Sequence, residues 1–151
     1  MRSLFLSTPG NITIHLTSDS DVAFGEKETL LLKAYLPWVQ IIEAIDNPTV
    51  VISHSESENS HLEHTTRNHI EITDTRAGHF PFEMYHLLYV VAHEKQCEKG
   101  LYSVHAACVS NEEGAYLLIG HSGAGKSTIS LDLVQHHKMK MISGNKTIVS
   151  F

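Results

Sequence analysis

The segment from Gly120 to Ser127 has the residue types and the spacing of a phosphate-binding loop. It reads Gly-His-Ser-Gly-Ala-Gly-Lys-Ser and fits the template G-x-x-x-x-G-K-[ST] at every fixed position. Glycines allow successive backbone N–H groups to surround one anion, and Lys126 supplies a cation for the β- and γ-phosphate oxygens. The segment therefore predicts nucleotide binding. The competing interpretation is a glycine-rich turn that joins a strand to a helix.

The elements on either side of this loop favour the first interpretation. The apolar run Ala115–Ile119 predicts a strand before the loop, and residues 126–137 predict a helix after it, with Ile129 and Leu133 on one face. Thr128 lies in the first turn of that helix. Because the N-terminal end of a helix carries partial positive charge, the predicted helix would face the same anion as the loop.

The segments around this strand and helix predict an antiparallel arrangement. Residues 101–110 read as one strand and residues 111–114 as a turn, so that they form a hairpin with the strand before the loop. After the helix, residues 140–143 and 147–151 predict two short strands around Gly144 and Asn145, a dipeptide that favours tight turns.

The N-terminal part of the chain, residues 1–75, predicts a β-rich region. Short runs of β-branched residues predict strands at 11–16, 48–53 and 69–73, and the polar run 53–60 predicts a loop. Segment 28–45 is ambiguous because Pro37 interrupts it, and we interpret it as a strand or short helix followed by a helix that begins at Pro37.

Residues 76–151 are predicted to form the second region, which would contain the loop. A helix should begin near Pro81 and end before Lys99 and Gly100, and it should pack on a sheet. Its apolar stripe has the helical spacing i, i+3, i+4, i+7 and consists of Met84, Leu87, Leu88 and Val91.

Composition excludes several classes of function. With 151 residues, 42% hydrophobic residues, 19% charged residues and a net charge of −6, the chain resembles a globular protein with no surface for nucleic acid. We expect no membrane partner, since no stretch is long enough to span a bilayer. The two cysteines, Cys97 and Cys108, suit a reducing cytoplasm and read as core residues.

Histidines are numerous in this sequence, and two groups of them could have a role. His61, His64 and His69 could hold a metal, but a solvated polar strand is the better interpretation because no Cys or Asp completes a ligand pattern. His136 and His137 are best explained as partners of the negative end of the helix that follows the loop.

Taken together, the hairpin, the loop and its helix resemble the HPr kinase/phosphorylase family, whose nucleotide-binding core is shared with PEP carboxykinases. The likeness runs from about Pro81 onward, under half of the chain, and consists of an amphipathic helix, then Leu101 to Ala107, then the turn, then Leu117 to Thr128. In that family a histidine lies fifteen positions before the first loop glycine, as His105 lies before Gly120 here. The resemblance implies an α/β fold with a PEP carboxykinase-like core and a mixed sheet.

The resemblance also implies site residues, cofactors and partners. ATP and Mg²⁺ are the implied cofactors, and the partners are the nucleotide and a hydroxyl-bearing acceptor, either a protein or a small molecule. Ser127 would bind magnesium, and His105 would lie beside the transferred phosphoryl group as a catalytic residue, although a buried core histidine is the alternative. Relatives are commonly oligomeric, so a homo-oligomer is one expectation. The residues implied to bind the nucleotide are Gly120, Ser122, Gly123, Ala124, Gly125, Lys126, Ser127 and Thr128.

Two departures from the family pattern limit what is implied. Family members that phosphorylate a protein serine usually carry an Asp pair after the loop helix, where this chain has Gly144 and Asn145, and neither side chain can act as a general base. A plain hairpin turn is the alternative for this dipeptide. The chain also stops at Phe151, before further strands of such a core, so we expect an incomplete core unless the N-terminal strands complete the sheet. A non-catalytic nucleotide-binding module or an inactive fragment is therefore the alternative to a kinase.

Overall fold

A computed structural model describes residues 1–20, 24–36, 38–58, 61–74 and 82–151 of the chain. The chain divides into two compact units, Met1–Lys99 and Gly100–Phe151. Helices occur together with a mixed sheet, which confirms the prediction of an α/β protein. Among the described residues, no helix has both the length and the apolar character needed to cross a bilayer.

The first unit is built on a six-stranded sheet with two helices. Its elements in chain order are β1 (Arg2–Thr8), β2 (Ile12–Ser18), α1 (Glu26–Tyr35), β3 (Gln40–Ile42), β4 (Val50–Glu56), β5 (His61–Thr66), β6 (His69–Asp74) and α2 (Phe82–Cys97). The strand order is β3-β1-β2-β4-β6-β5. β4 pairs in parallel with β2 and β6, and the other pairs are antiparallel.

The core of this unit follows from alternation along the strands. Ile12, Ile14 and Leu16 of β2 point to one face and are fully buried. On α2 the predicted stripe contributes Met84 and Leu88 to the same apolar cluster. The strands predicted at 11–16, 48–53 and 69–73 and the helix that packs on a sheet are therefore confirmed.

The boundary between the two units lies after Lys99, whereas the sequence placed it after residue 75. The physical reason is that the buried face of α2 belongs to the apolar cluster of the six-stranded sheet, so the helix stays with the first unit. Pro81, where this helix was expected to begin, lies outside the described residues.

Two local predictions in the first unit need correction. Segment 28–45 contains α1 and then strand β3, which pairs with β1, instead of a second helix. Pro37, the expected start of that helix, lies outside the described residues. The predicted loop at 53–60 is shorter than expected because β4 continues to Glu56 in register with β6.

The second unit carries the predicted loop. Its elements are β7 (Leu101–Val104), β8 (Ala106–Ser110), β9 (Ala115–Ile119), α3 (Lys126–His136), β10 (Lys140–Ser143) and β11 (Thr147–Ser150). The strands form a three-stranded sheet of order β10-β8-β9 and a two-stranded sheet of β11 and β7, and each of these strand pairs is antiparallel. The mixed sheet thus belongs to the first unit, and the described N-terminal strands do not extend the sheet next to the loop.

The predicted hairpin of β8 and β9 is confirmed, with β9 at the edge of its sheet. Its turn is held by Asn111, whose side-chain oxygen accepts hydrogen bonds from the amides of Glu113 and Gly114 at 2.9 and 3.1 Å. Buried side chains of this unit, such as Ala106 and Cys108, are small, whereas Ile119 and Ile142 are 70% and 59% exposed.

Candidate phosphate-binding site

The loop between β9 and α3 contains two glycines in the left-handed region of backbone conformation. Gly123 has a φ of 80° and Gly125 a φ of 83°, values that strain any residue with a Cβ atom. Gly120 is needed for a different reason, because a Cβ atom there would lie 3.1 Å from the Cβ of Ala124. The two fixed glycines of the template, Gly120 and Gly125, therefore each have a local structural cause, and so does Gly123 at a position that the template leaves open.

Lys126 folds back over the loop from the first position of α3. Its ammonium group donates hydrogen bonds to the carbonyl oxygens of Gly120 and His121 at 2.8 and 2.9 Å. These carbonyls belong to the loop itself, so the cation stays beside the place where a phosphate would bind. When an anion binds, the ammonium group would give up these two hydrogen bonds and donate to the oxygens of the anion instead.

Backbone amides around the loop are available to an anion. Ala124 donates to the carbonyl of His121 at 3.2 Å, but the amides of Gly123, Gly125 and Lys126 donate to no other residue in the described part of the chain. Gly125 is the N-cap of α3 and provides no side-chain cap, and the first turn of α3 contains no acidic residue. In α1, by contrast, Glu26 and Glu28 occupy the first turn. The positive end of α3 is therefore uncompensated.

A pocket of about 300 Å³ lies against the loop. That volume is at the lower end of the range for small-molecule sites. The lining combines consecutive loop residues with two residues from elsewhere in the same unit: Ser122, Gly123, Ala124, Gly125, Lys126, Ser127, Thr128, His105 and Asn145. All of the predicted site residues except Gly120 thus border one cavity, and Gly120 contributes through its carbonyl group to Lys126.

Two breaks in neighbouring strands bring His105 and Asn145 to this pocket. The predicted strand 101–110 is interrupted at His105, which separates β7 from β8. β11 pairs with β7 and β10 pairs with β8, so the segment between β10 and β11 lies opposite His105. Thr147 is in register with Val104, next to the break.

A short chain of hydrogen bonds fixes these two breaks together. The hydroxyl of buried Thr147 donates to the carbonyl oxygen of Ala106 at 3.0 Å. The same hydroxyl lies 2.6 Å from that of Ser143. Ser143 and Thr147 flank the turn that contains Asn145. Their hydrogen bonds therefore hold that turn beside Ala106, the residue that follows His105.

Two alternatives from the sequence are wrong in this structure. His105 is exposed, so it is not a buried core histidine. Gly144 and Asn145 do not form a hairpin turn, because the strands on either side pair with different partners. The tight-turn propensity of the dipeptide was visible in the sequence, but the pairing of β11 with β7 spans more than forty residues and left no local signal.

The described residues offer few ligands for a metal ion. No group of three or more His, Cys, Asp or Glu side chains among the described residues could hold a metal ion, and His69 instead makes a 3.0 Å hydrogen bond to Ser53. In the pocket, Ser127 and Asn145 offer neutral oxygens, and no carboxylate of a described residue lines the cavity. Magnesium is usually held through one or two carboxylates together with phosphates. The described lining does not suit a magnesium ion bound by the protein alone.

The other residues singled out from the sequence lie outside this pocket. Cys108 is buried, as expected of a core residue, and Cys97 is partly exposed. His136 and His137 are at the C-terminal end of α3, each 4.0 Å from a carboxylate oxygen of Asp132.

Comparison with known proteins does not add to this geometry. No family model matches the chain, and no match is found among curated proteins.

Proposed function

We propose that this chain binds ATP at the loop and belongs to the HPr kinase/phosphorylase-like class, with a PEP carboxykinase-like core. The proposed reaction moves the γ-phosphoryl group of ATP to a hydroxyl group of a protein serine or a small molecule. One observation carries the proposal. A single pocket is bordered by the seven consecutive residues 122–128, which run from the loop into the first turn of α3 and include Lys126, and by His105.

The chemistry needs positioning and charge neutralisation more than covalent participation by the protein. The free amides of the loop and the ammonium group of Lys126 would hold the phosphate oxygens. His105 is exposed at the pocket and is the proposed residue beside the transferred group, where an imidazole can accept the proton of an acceptor hydroxyl. Magnesium is proposed only as an ion carried by the nucleotide, with the Ser127 hydroxyl as its contact on the protein.

A second function is favoured by one observation, the neutral side chain of Asn145 at the pocket. If His105 does not act as the base, no carboxylate among the described lining residues replaces it, and the unit would hold a nucleotide without turning it over, as a nucleotide-binding module. Incubation with γ-labelled ATP, magnesium and a hydroxyl-bearing acceptor separates the two functions. Transfer or release of label supports the kinase, and clear binding without turnover supports the module.

Binding itself is tested by Lys126→Ala. We expect this variant to lose measurable ATP binding in isothermal titration calorimetry while its circular dichroism spectrum stays unchanged, because the hydrogen bonds that the lysine makes to described residues all go to loop carbonyls. Lys140→Ala is the matched control, since it removes the same charge from an exposed position on β10 of the same unit. Unaltered ATP affinity in Lys126→Ala would remove the phosphate-loop assignment.

Further features support parts of the proposal. The small buried side chains of the second unit and the exposure of Ile119, Leu131 and Ile142 support an incomplete core. Free Cys97 and Cys108 support a cytoplasmic location. A homo-oligomer remains a proposal from the resemblance alone, and a role with nucleic acid or membranes is not proposed.

A further inference from the structure

The electrostatic character of the pocket differs from that of a site built around a metal ion. Among the lining residues that the structure describes, Lys126 is the fixed cation, His105 is the one other titratable side chain, and Asp and Glu are absent. The remaining polar groups are hydroxyls, backbone amides and the side-chain amide of Asn145. A triphosphate would therefore meet donors and positive charge, and no like charge.

This composition changes what a metal ion contributes to binding. Where a carboxylate faces the phosphates, magnesium is needed to bridge the two negative groups and remove their repulsion. Where the facing group is a neutral amide, there is no repulsion to remove. Its NH₂ group can donate to a phosphate oxygen directly, which a carboxylate cannot do.

Asn145 is held in this position by the fold. The strand breaks and the Ser143–Thr147–Ala106 hydrogen bonds place its turn at the pocket, opposite the break at His105. Its contribution to the lining is thus a property of the paired strands and not of a chance loop conformation. The side chain that the fold places at this edge of the pocket is therefore neutral.

We infer that the pocket binds the triphosphate of ATP with little dependence on magnesium, and that Asn145 is the residue that determines this independence. The inference rests on the proposed binding of ATP at the loop. Lys126 and the free amides supply the attraction, and Asn145 supplies a donor in place of a metal-dependent carboxylate.

The first test compares the affinity of the wild-type chain for ATP in excess EDTA and in excess MgCl₂ by isothermal titration calorimetry. We expect the two dissociation constants to agree within about fivefold. A greater loss of affinity in EDTA overturns the inference but leaves the proposed function standing. Absence of ATP binding in both solutions overturns the inference and the proposed function together.

The second test introduces the charge. Asn145→Asp should weaken ATP binding in EDTA and recover it in MgCl₂, so that the two dissociation constants differ by about tenfold or more. Asn111→Asp is the matched control, because it makes the same change in the turn at the other end of the β8–β9 hairpin, where an Asp oxygen can accept the same two hydrogen bonds. An Asn145→Asp variant with the ratio of the wild type contradicts the role of Asn145. Should that variant fail to fold, the wild-type comparison still decides magnesium dependence, and Asn145→Ser, which stays neutral, must keep the wild-type ratio.

Discussion

At the scale of single residues, the loop shows why a short template can be read from sequence. Gly123 and Gly125 are required by their left-handed backbone and Gly120 by the nearby Cβ of Ala124. These are local constraints, and local constraints leave a signal in residue types. The hydrogen bonds of Lys126 to the carbonyls of Gly120 and His121 left none, because the template fixes which residue is present and not where its ammonium group lies.

Gly120→Ala tests the close approach inside the loop. The new Cβ would lie 3.1 Å from that of Ala124, so we expect the free energy of unfolding to fall by about 1 kcal/mol and ATP to bind more weakly. Urea unfolding and calorimetric titration measure the two effects. Adding Ala124→Gly should restore both, because it removes the contacting atom.

Gly144→Ala serves as the control for that experiment, since a Cβ atom there meets no atom within 4 Å. It should leave the unfolding curve close to that of the wild type. If Gly120→Ala is as harmless as Gly144→Ala, then crowding in the loop is not what requires glycine at position 120.

At the scale of elements, two interrupted strands form the part of the site that the loop does not provide. β7 and β8 are separated at His105, and their partners β11 and β10 are separated by the turn of Asn145. The link between Thr147 and Ala106 joins the two interruptions. The site therefore depends on strand pairing as much as on the loop.

Thr147→Val should loosen this junction. Valine has the shape of threonine but cannot donate to the carbonyl oxygen of Ala106, so the carbonyl of this buried residue loses the hydroxyl as a donor. We expect a loss of about 1–3 kcal/mol in the free energy of unfolding, measured with urea. Ser150→Ala, an exposed change on β11, should have almost no effect. Equal stability of the two variants would mean that the Thr147 hydrogen bond does not hold the junction.

The elements differ in how far sequence could predict them. Alternating β-branched runs predicted β2, β4 and β6, and apolar spacing predicted α2, since both patterns reflect burial along one short segment. Strand β3 was mistaken for a helix because three residues are too few to show a period. The division of segment 101–110 at His105 depends on its pairing with β10 and β11, which lies far along the chain.

At the scale of the whole molecule, the chain consists of a mixed-sheet unit followed by a smaller antiparallel unit that contains the loop. The α/β class could be predicted from the sequence. The boundary between the two units could not be predicted. The apolar stripe of α2 predicts that this helix packs on a sheet but does not indicate which sheet. Its membership of the first unit becomes visible only in the shared cluster with β2.

The stability of the first unit should depend on pH through Glu98. Hydrogen bonds from Arg67, at 2.9 Å, and from Lys95, at 3.2 Å, hold the pKa of the Glu98 carboxyl below its ordinary value. A lowered pKa means that this stabilisation is present above the ordinary glutamate pKa and is lost as the pH falls through the lowered one. The Lys95 side chain is only 4% exposed, so its ammonium group depends on this partner.

Glu98→Gln is therefore expected to lower the midpoint of thermal unfolding at neutral pH. The difference from the wild type should shrink as the pH falls through the lowered pKa of Glu98, because the protonated wild-type carboxyl resembles the amide. Glu112→Gln, in the exposed turn after β8, is the control and should show no such difference. If the difference in unfolding midpoint between Glu98→Gln and the wild type persists unchanged in acid, the ion pairs of Glu98 are not its cause.

The first turn of α3, which has no acidic residue and no side-chain cap, also affects the choice of buffer for binding measurements. Its amides would donate hydrogen bonds to the oxygens of any small tetrahedral anion, since sulfate and inorganic phosphate offer the same geometry as the end of a nucleotide tail. Such buffer ions would compete for the loop, so apparent nucleotide affinity should fall as their concentration rises and is best determined in chloride.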